Sequence, residues 1–192
     1  MRYEAIVIGV SAGGLNAMKK LFTALPATFS CPVVIVQHIS AHSDSMWIDL
    51  MDKISQIPVK EADEKENILP GRIYMAPPNY HLLIEKDHTF SLTVDERINF
   101  ARPSIDVLFE SAAEAYKDKL IGIVLTGSNN DGANGVKKIK KLGGLVIVQD
   151  PGDAESPDMP LSAITACQPD LILSMDRIVH FLTELHSEYT KH

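Results

Sequence analysis

Residues 5–14 read Ala-Ile-Val-Ile-Gly-Val-Ser-Ala-Gly-Gly, an apolar run that stops at Ser11, set among Gly9, Gly13 and Gly14. When a buried strand turns sharply into a helix, the turn residue's side chain stands above the sheet edge, and flanking glycines let the backbone make the turn. The segment therefore demands a strand followed at once by a helix, the opening of an α/β fold. It also makes Ser11 a candidate nucleophile, with a tight turn whose serine merely caps the helix as the plain alternative.

The same residues partly match the G-x-G-x-x-G pattern of a dinucleotide-binding unit, but a serine stands where the middle glycine should let a pyrophosphate approach. That pattern also wants an acidic residue at the end of the next strand to hold a ribose. Here the next apolar run, Val33-Val34-Ile35-Val36, ends in Gln37-His38. An imidazole in that place disfavours nucleotide binding and suits a serine that needs a base.

Further apolar runs at 4–10, 32–37, 120–125 and 144–149 are short and rich in Val, Ile and Leu, as in parallel strands buried on both faces. Helical spacing marks 14–25, 104–117 (Ser104 as N-cap), 132–142 and 176–188. Between them, 58–60, 72–76, 81–85 and 90–94 read as short strands separated by turns, predicting an antiparallel hairpin insertion near the middle of the chain. The expected fold is α/β, a doubly wound, mainly parallel sheet in one domain spanning 1–192.

Composition narrows the function classes. Of 192 residues, 45% are hydrophobic and 22% charged, enough for a sizeable core, and the net charge of -7 argues against nucleic-acid or anionic-membrane partners. Cys31 and Cys167 are far apart and in no metal-ligand spacing, so they read as reduced, packed thiols, with no metal and no cofactor expected. No apolar run approaches the roughly 20 residues of a membrane span, and the expected location is the cytoplasm.

In doubly wound sheets, residues that follow strands converge at the carboxyl edge. Ser11 follows the first strand, His38 ends the second, and Asp131 lies in Leu125-Thr126-Gly127-Ser128-Asn129-Asn130-Asp131-Gly132-Ala133. Serine needs a base within reach, and that base works best beside a carboxylate, so Ser11, His38 and Asp131 form a candidate catalytic triad. Asp131 also suits an N-cap of the helix that follows it. Backbone N–H groups near Ala12 and Ser128 are candidates to hold an oxyanion.

These residues resemble the catalytic domain of bacterial chemotaxis protein-glutamate methylesterases. The resemblance runs through Gly9-Val10-Ser11-Ala12-Gly13-Gly14, Gln37-His38, Ile68-Leu69-Pro70-Gly71, Tyr74-Met75-Ala76-Pro77, Arg102-Pro103-Ser104-Ile105-Asp106-Val107-Leu108-Phe109, Leu125-Thr126-Gly127, Asn130-Asp131-Gly132-Ala133 and Met159-Pro160, nearly the whole chain in order. It implies a triad of Ser11, His38 and Asp131 that hydrolyses glutamate γ-methyl esters on the cytoplasmic helices of chemoreceptors. Methanol is released, and in some members glutamine is deamidated. Ala12 replaces the family's usual threonine, and Ser128-Asn129 replaces its usual Met-Gly. These departures keep open a catalytically silent binding or regulatory module of the same fold. The family's receiver domain has no room before the first strand, so the expectation is a stand-alone esterase controlled by a separate regulatory protein, with a catalytic fragment as the alternative.

The remaining candidates are less specific. Arg102 suits either a substrate carboxylate or a structural acid such as Asp106, and Met159-Pro160 either a loop over the site or a helix start. Lys137, Lys138, Lys140 and Lys141 read as a solvated helix face, or as a means of approaching an acidic receptor. His42, His81, His88, His180, His186 and His192 are assigned surface or loop roles.

Overall fold

A computed structural model describes residues 3–38 and 46–189. Strand β1 (Ala5–Val10) is buried along its whole length, as a run with no polar alternation requires. It leads through Gly13, at φ 78°, into α1 (Gly14–Ala24). Then follow β2 (Val33–Gln37), α2 (Met46–Ile54), β3 (Val59–Glu61), β4 (Ile73–Met75), β5 (His81–Ile84), β6 (Phe90–Thr93) and α3 (Ile105–Tyr116). The chain continues through β7 (Leu120–Val124), α4 (Ala133–Lys141), β8 (Leu145–Gln149), α5 (Asp158–Ala166), β9 (Leu171–Leu173) and α6 (Met175–Tyr189).

Seven strands form one parallel sheet in the order β3-β4-β2-β1-β7-β8-β9. Alternate residues of β1 serve the two faces. Ile6, Ile8 and Val10 pack with Met18, Phe22, Met51 and Leu182 from α1, α2 and α6, while Ala5 and Val7 pack with Leu108, Phe109 and Ile139 from α3 and α4. The order reverses direction between β1 and β7, which opens a crevice above their carboxyl ends.

The middle of the chain corrects the sequence reading in part. Of its four short strands, only β5 and β6 pair antiparallel, as a separate two-stranded sheet; β4 joins the main sheet in parallel beside β2, and β3 pairs in parallel with β4 at the edge. Three-residue strands carry too little periodicity to name their partners. The hairpin lies against α3, with Leu82, Ile84 and Phe90 buried in the same core as Leu108 and Phe109.

Cys31 is buried and Cys167 half-buried, and both are free thiols; burial, together with the Glu4 charge, pushes Cys31 up to about 12. Among the described residues, no helix is long and apolar enough to cross a membrane, and no cluster of His, Cys, Asp and Glu is arranged to hold a metal ion.

Candidate active site

Close packing around glycines brings three strand ends together. A Cβ on Gly9 would lie 2.4 Å from Ile105 Cγ2, so only glycine lets the first turn of α3 settle on β1. A Cβ on Gly14 would lie 2.2 Å from Gln37 Oε1 and 2.5 Å from Val10 Cγ2, so α1 begins in close contact with the ends of β1 and β2. The Gln37 carboxamide donates from Nε2 to the carbonyls of Ser11 at 3.0 Å and His38 at 2.9 Å, tying the ends of β1 and β2 together. The backbone N–H of Ser11 donates to the Thr126 carbonyl, and the Thr126 hydroxyl donates to the Ala12 carbonyl at 2.8 Å, which fixes the loop after β7 beside the turn.

At this junction His38 Nδ1 stands 3.3 Å from Ser11 Oγ, and His38 Nε2 stands 2.9 Å from Asp131 Oδ2. The carboxylate facing Nε2 places the ring proton there and leaves the Nδ1 lone pair toward Ser11. Asp131 is fully buried and richly bonded. Oδ2 also accepts the Ile105 N–H at 2.7 Å, while Oδ1 accepts from the Ser104 hydroxyl at 2.9 Å, the Asp106 N–H at 3.0 Å and the Gly132 N–H at 3.1 Å.

Burial alone would raise the Asp131 carboxyl. The hydrogen bond from His38 and those from the Asp106 and Ile105 amides outweigh it and hold the group below the usual carboxylate range. The capping expected of Asp131 thus occurs on a different helix. It satisfies the first amides of α3, whereas α4 starts from Gly132 with no side-chain cap, and Ser104, at the N-cap position of α3, spends its hydroxyl on Asp131.

Ser11, His38 and Asn129 open into a cavity of about 390 Å³ that Arg97, Asn99, Phe100, Arg102 and Pro103 also line. Arg102 does not pair with Asp106. Its Nη1 donates to the Val94 and Asp95 carbonyls at 2.6 and 2.9 Å, clamping the wall of the cavity. Asp106 is instead held by the Gly135 N–H at 2.7 Å and the Asn134 side chain at 3.2 Å; burial first, with the Asp131 charge adding to it, raises its carboxyl.

Met159 forms no loop over the site. It lies buried in the first turn of α5, where its N–H donates to the Gly127 carbonyl and its sulfur would meet a Cβ on Gly127 at 2.4 Å. It therefore supports the loop after β7 from behind. Ala12 and Ser128 are exposed, and neither backbone N–H has a protein acceptor among the described residues.

The lysine run lies elsewhere. It occupies the later turns of α4, which starts beside Asp131, and the rise of about 1.5 Å per residue from Ala133 to Lys141 carries its end about 12 Å away. Lys138 pairs with Glu114 and Lys140 with Asp170, which leaves less free charge than the sequence suggested.

His81 also departs from expectation. It is buried, accepts the Ser104 N–H on Nδ1 at 3.2 Å, and bonds the Glu96 carbonyl through Nε2 at 3.0 Å. His88 stacks on Tyr116 and His180 pairs with Glu184. His42, His192 and the side chain of His186 lie outside the described residues. Sequence reasoning gave Gln37 and Asn129 no structural part; the one signal for Asn129 was its departure from the family's glycine.

A doubly wound sheet presenting a serine, an imidazole and a buried carboxylate in hydrogen-bonded series at its switch point has the makeup of an α/β serine hydrolase. The CheB methylesterase family model matches residues 6–182, and the chain belongs to that family. A protein of Leptospira interrogans serovar copenhageni, named as a protein-glutamate methylesterase/protein-glutamine glutaminase, is 60% identical over 185 residues, covering 96% of both chains. A protein-glutamate methylesterase/protein-glutamine glutaminase of Pseudomonas syringae pv. tomato is 36% identical over 183 residues, 95% of this chain but 47% of that protein. The crystal structure of the Thermotoga maritima CheB methylesterase catalytic domain matches with a TM-score of 0.90 at 34% identity, covering 96% of this chain and all of that one.

Proposed function

We propose that this chain is a protein-glutamate methylesterase that uses Ser11 as nucleophile, His38 as base and Asp131 as the carboxylate that orients His38. The observation carrying this reading is the hydrogen-bonded series itself, Ser11 Oγ to His38 Nδ1 at 3.3 Å and His38 Nε2 to Asp131 at 2.9 Å, open to a cavity on the serine side. Residues 1–192 act as one catalytic domain in this reading. Its substrate is a glutamate γ-methyl ester on a chemoreceptor helix, met in the cytoplasm.

Ser11 Oγ attacks the ester carbonyl while its proton passes to His38 Nδ1. The carbonyl oxygen becomes an oxyanion, for which the unspent N–H groups of Ala12 and Ser128 are the candidate main-chain donors. His38 then returns the proton to the methoxy oxygen, the C–O bond breaks, and methanol leaves an acyl-Ser11. Water, deprotonated by His38, releases glutamate and restores the serine. A glutamine carboxamide follows the same steps with ammonia as the leaving group.

A serine-directed phosphonate tests the reading. Stoichiometric labelling at Ser11 that is lost in His38→Ala is expected; a folded protein that takes no label would be a binding module of the same fold.

A further inference from the structure

The base has a second donor at the nitrogen it must use. Asn129 Nδ2 lies 3.1 Å from His38 Nδ1, nearer than Ser11 Oγ at 3.3 Å. The carboxamide's orientation is fixed by its other end, because Asn129 Oδ1 accepts the Asp131 N–H at 3.0 Å and so turns the NH2 group toward the ring. Asp131 at Nε2 fixes the ring proton on that side, so Nδ1 carries a lone pair at rest. Two donors, the Ser11 hydroxyl and the Asn129 amide, share it.

We infer that Asn129 is a positioning residue that restrains the base: its amide occupies His38 Nδ1 in the resting enzyme and must be given up before Ser11 can transfer its proton. Once Nδ1 takes that proton, two N–H groups face each other across the 3.1 Å gap, a donor against a donor. The resting bond stabilises the ground state and is lost on the way to the transition state, so it slows the acylation step. The same mismatch favours passing the proton onward to the methoxy oxygen. The departure of Asn129 from the family's usual glycine thus leaves catalysis intact and adds a brake to it.

This inference rests on the assignment of His38 as base. Among the described residues, the charged groups near the ring are Asp131 at Nε2 and Arg97 and Arg102 across the cavity, with Arg102 spent on backbone carbonyls. Asn129→Ser tests it, since a hydroxyl at this position still accepts the Asp131 N–H two residues on but is too short to reach the ring.

On methylated chemoreceptor membranes, Asn129→Ser is expected to raise kcat by about three- to tenfold, the worth of one hydrogen bond released from the ground state, with KM unchanged. Phosphonate labelling of Ser11 should quicken by a similar factor, and the acid limb of the rate profile should move to higher pH. A gain of this kind does not arise from damage to the fold.

Asn129→Asp keeps the bond to the Asp131 N–H and presents a carboxylate to Nδ1; it should move the acid limb up by about one pH unit or more. A fall in kcat in Asn129→Ser, or profiles of both variants that superimpose on wild type, would overturn the inference. If wild-type protein neither labels at Ser11 nor releases methanol, the failure lies in the function assigned to the site and not in Asn129.

Discussion

The oxygen of Asp131 that faces His38 is also the acceptor for the Ile105 N–H, at 2.7 Å. One carboxylate therefore holds the ring of His38, the proposed base, and closes the first turn of α3. The proposed chemistry and the folding are joined at a single buried group.

Asp131→Asn should damage both. Loss of the charge that orients His38 is expected to lower kcat by about 10³- to 10⁴-fold. An amide that opposes the Ile105 or Asp106 N–H with its own NH2 should also cost about 2 kcal/mol or more of stability. Urea unfolding alongside methanol release separates the two effects, and a variant as stable as wild type would show that the cap on α3 matters little.

The two buried acids of this region predict opposite pH behaviour. Asp131 is held low, so its contribution to stability is present above its unfolded value, about pH 4, and is lost as pH falls through its lower folded value. Asp106 is raised, so its contribution is greatest below about pH 4 and declines as pH rises through its folded value. The gap in urea midpoint between wild type and Asp131→Asn should therefore narrow as pH falls from 6 toward 3. A gap that stays constant would contradict the assignment of a lowered Asp131.

Most of the sheet was legible because β1, β2, β7 and β8 are continuous apolar runs, and a parallel sheet buried on both faces needs such runs. Ser11, His38 and Asp131 were legible for a related reason: each follows a strand, and strand ends converge. What stayed hidden depended on long-range partners. Nothing in Val59-Lys60-Glu61 says that it will pair with β4 in parallel, and nothing beside Asp131 announces that its amide partners lie 25 or 26 residues earlier. Arg102 and Met159 were noticed as residue types, but their contacts with the Val94 and Asp95 carbonyls and with the Gly127 loop could be read only from the structure.

Gly9→Ala should force Ile105 from its seat, since the added methyl would lie 2.4 Å from Ile105 Cγ2. Overpacking of this kind costs about 1–3 kcal/mol, and the shift of α3 should carry into activity through Asp131. Combining it with Ile105→Ala should recover part of the loss. A double-mutant cycle in urea unfolding measures this coupling, and strict additivity would refute the contact.

Met159→Ala removes a buried side chain that props Gly127 and should destabilise the protein by about 2–5 kcal/mol. KM for the receptor should change little, because Met159 stands behind the loop and does not line the cavity. A large rise in KM with stability intact would restore it to the substrate surface.

The most direct test of the account is methanol release from methylated chemoreceptor membranes, comparing wild-type protein with Ser11→Ala. Release by wild type that disappears in a folded Ser11→Ala protein is the result expected of a Ser11 esterase. Equal release by both, or none from folded wild type, would contradict it.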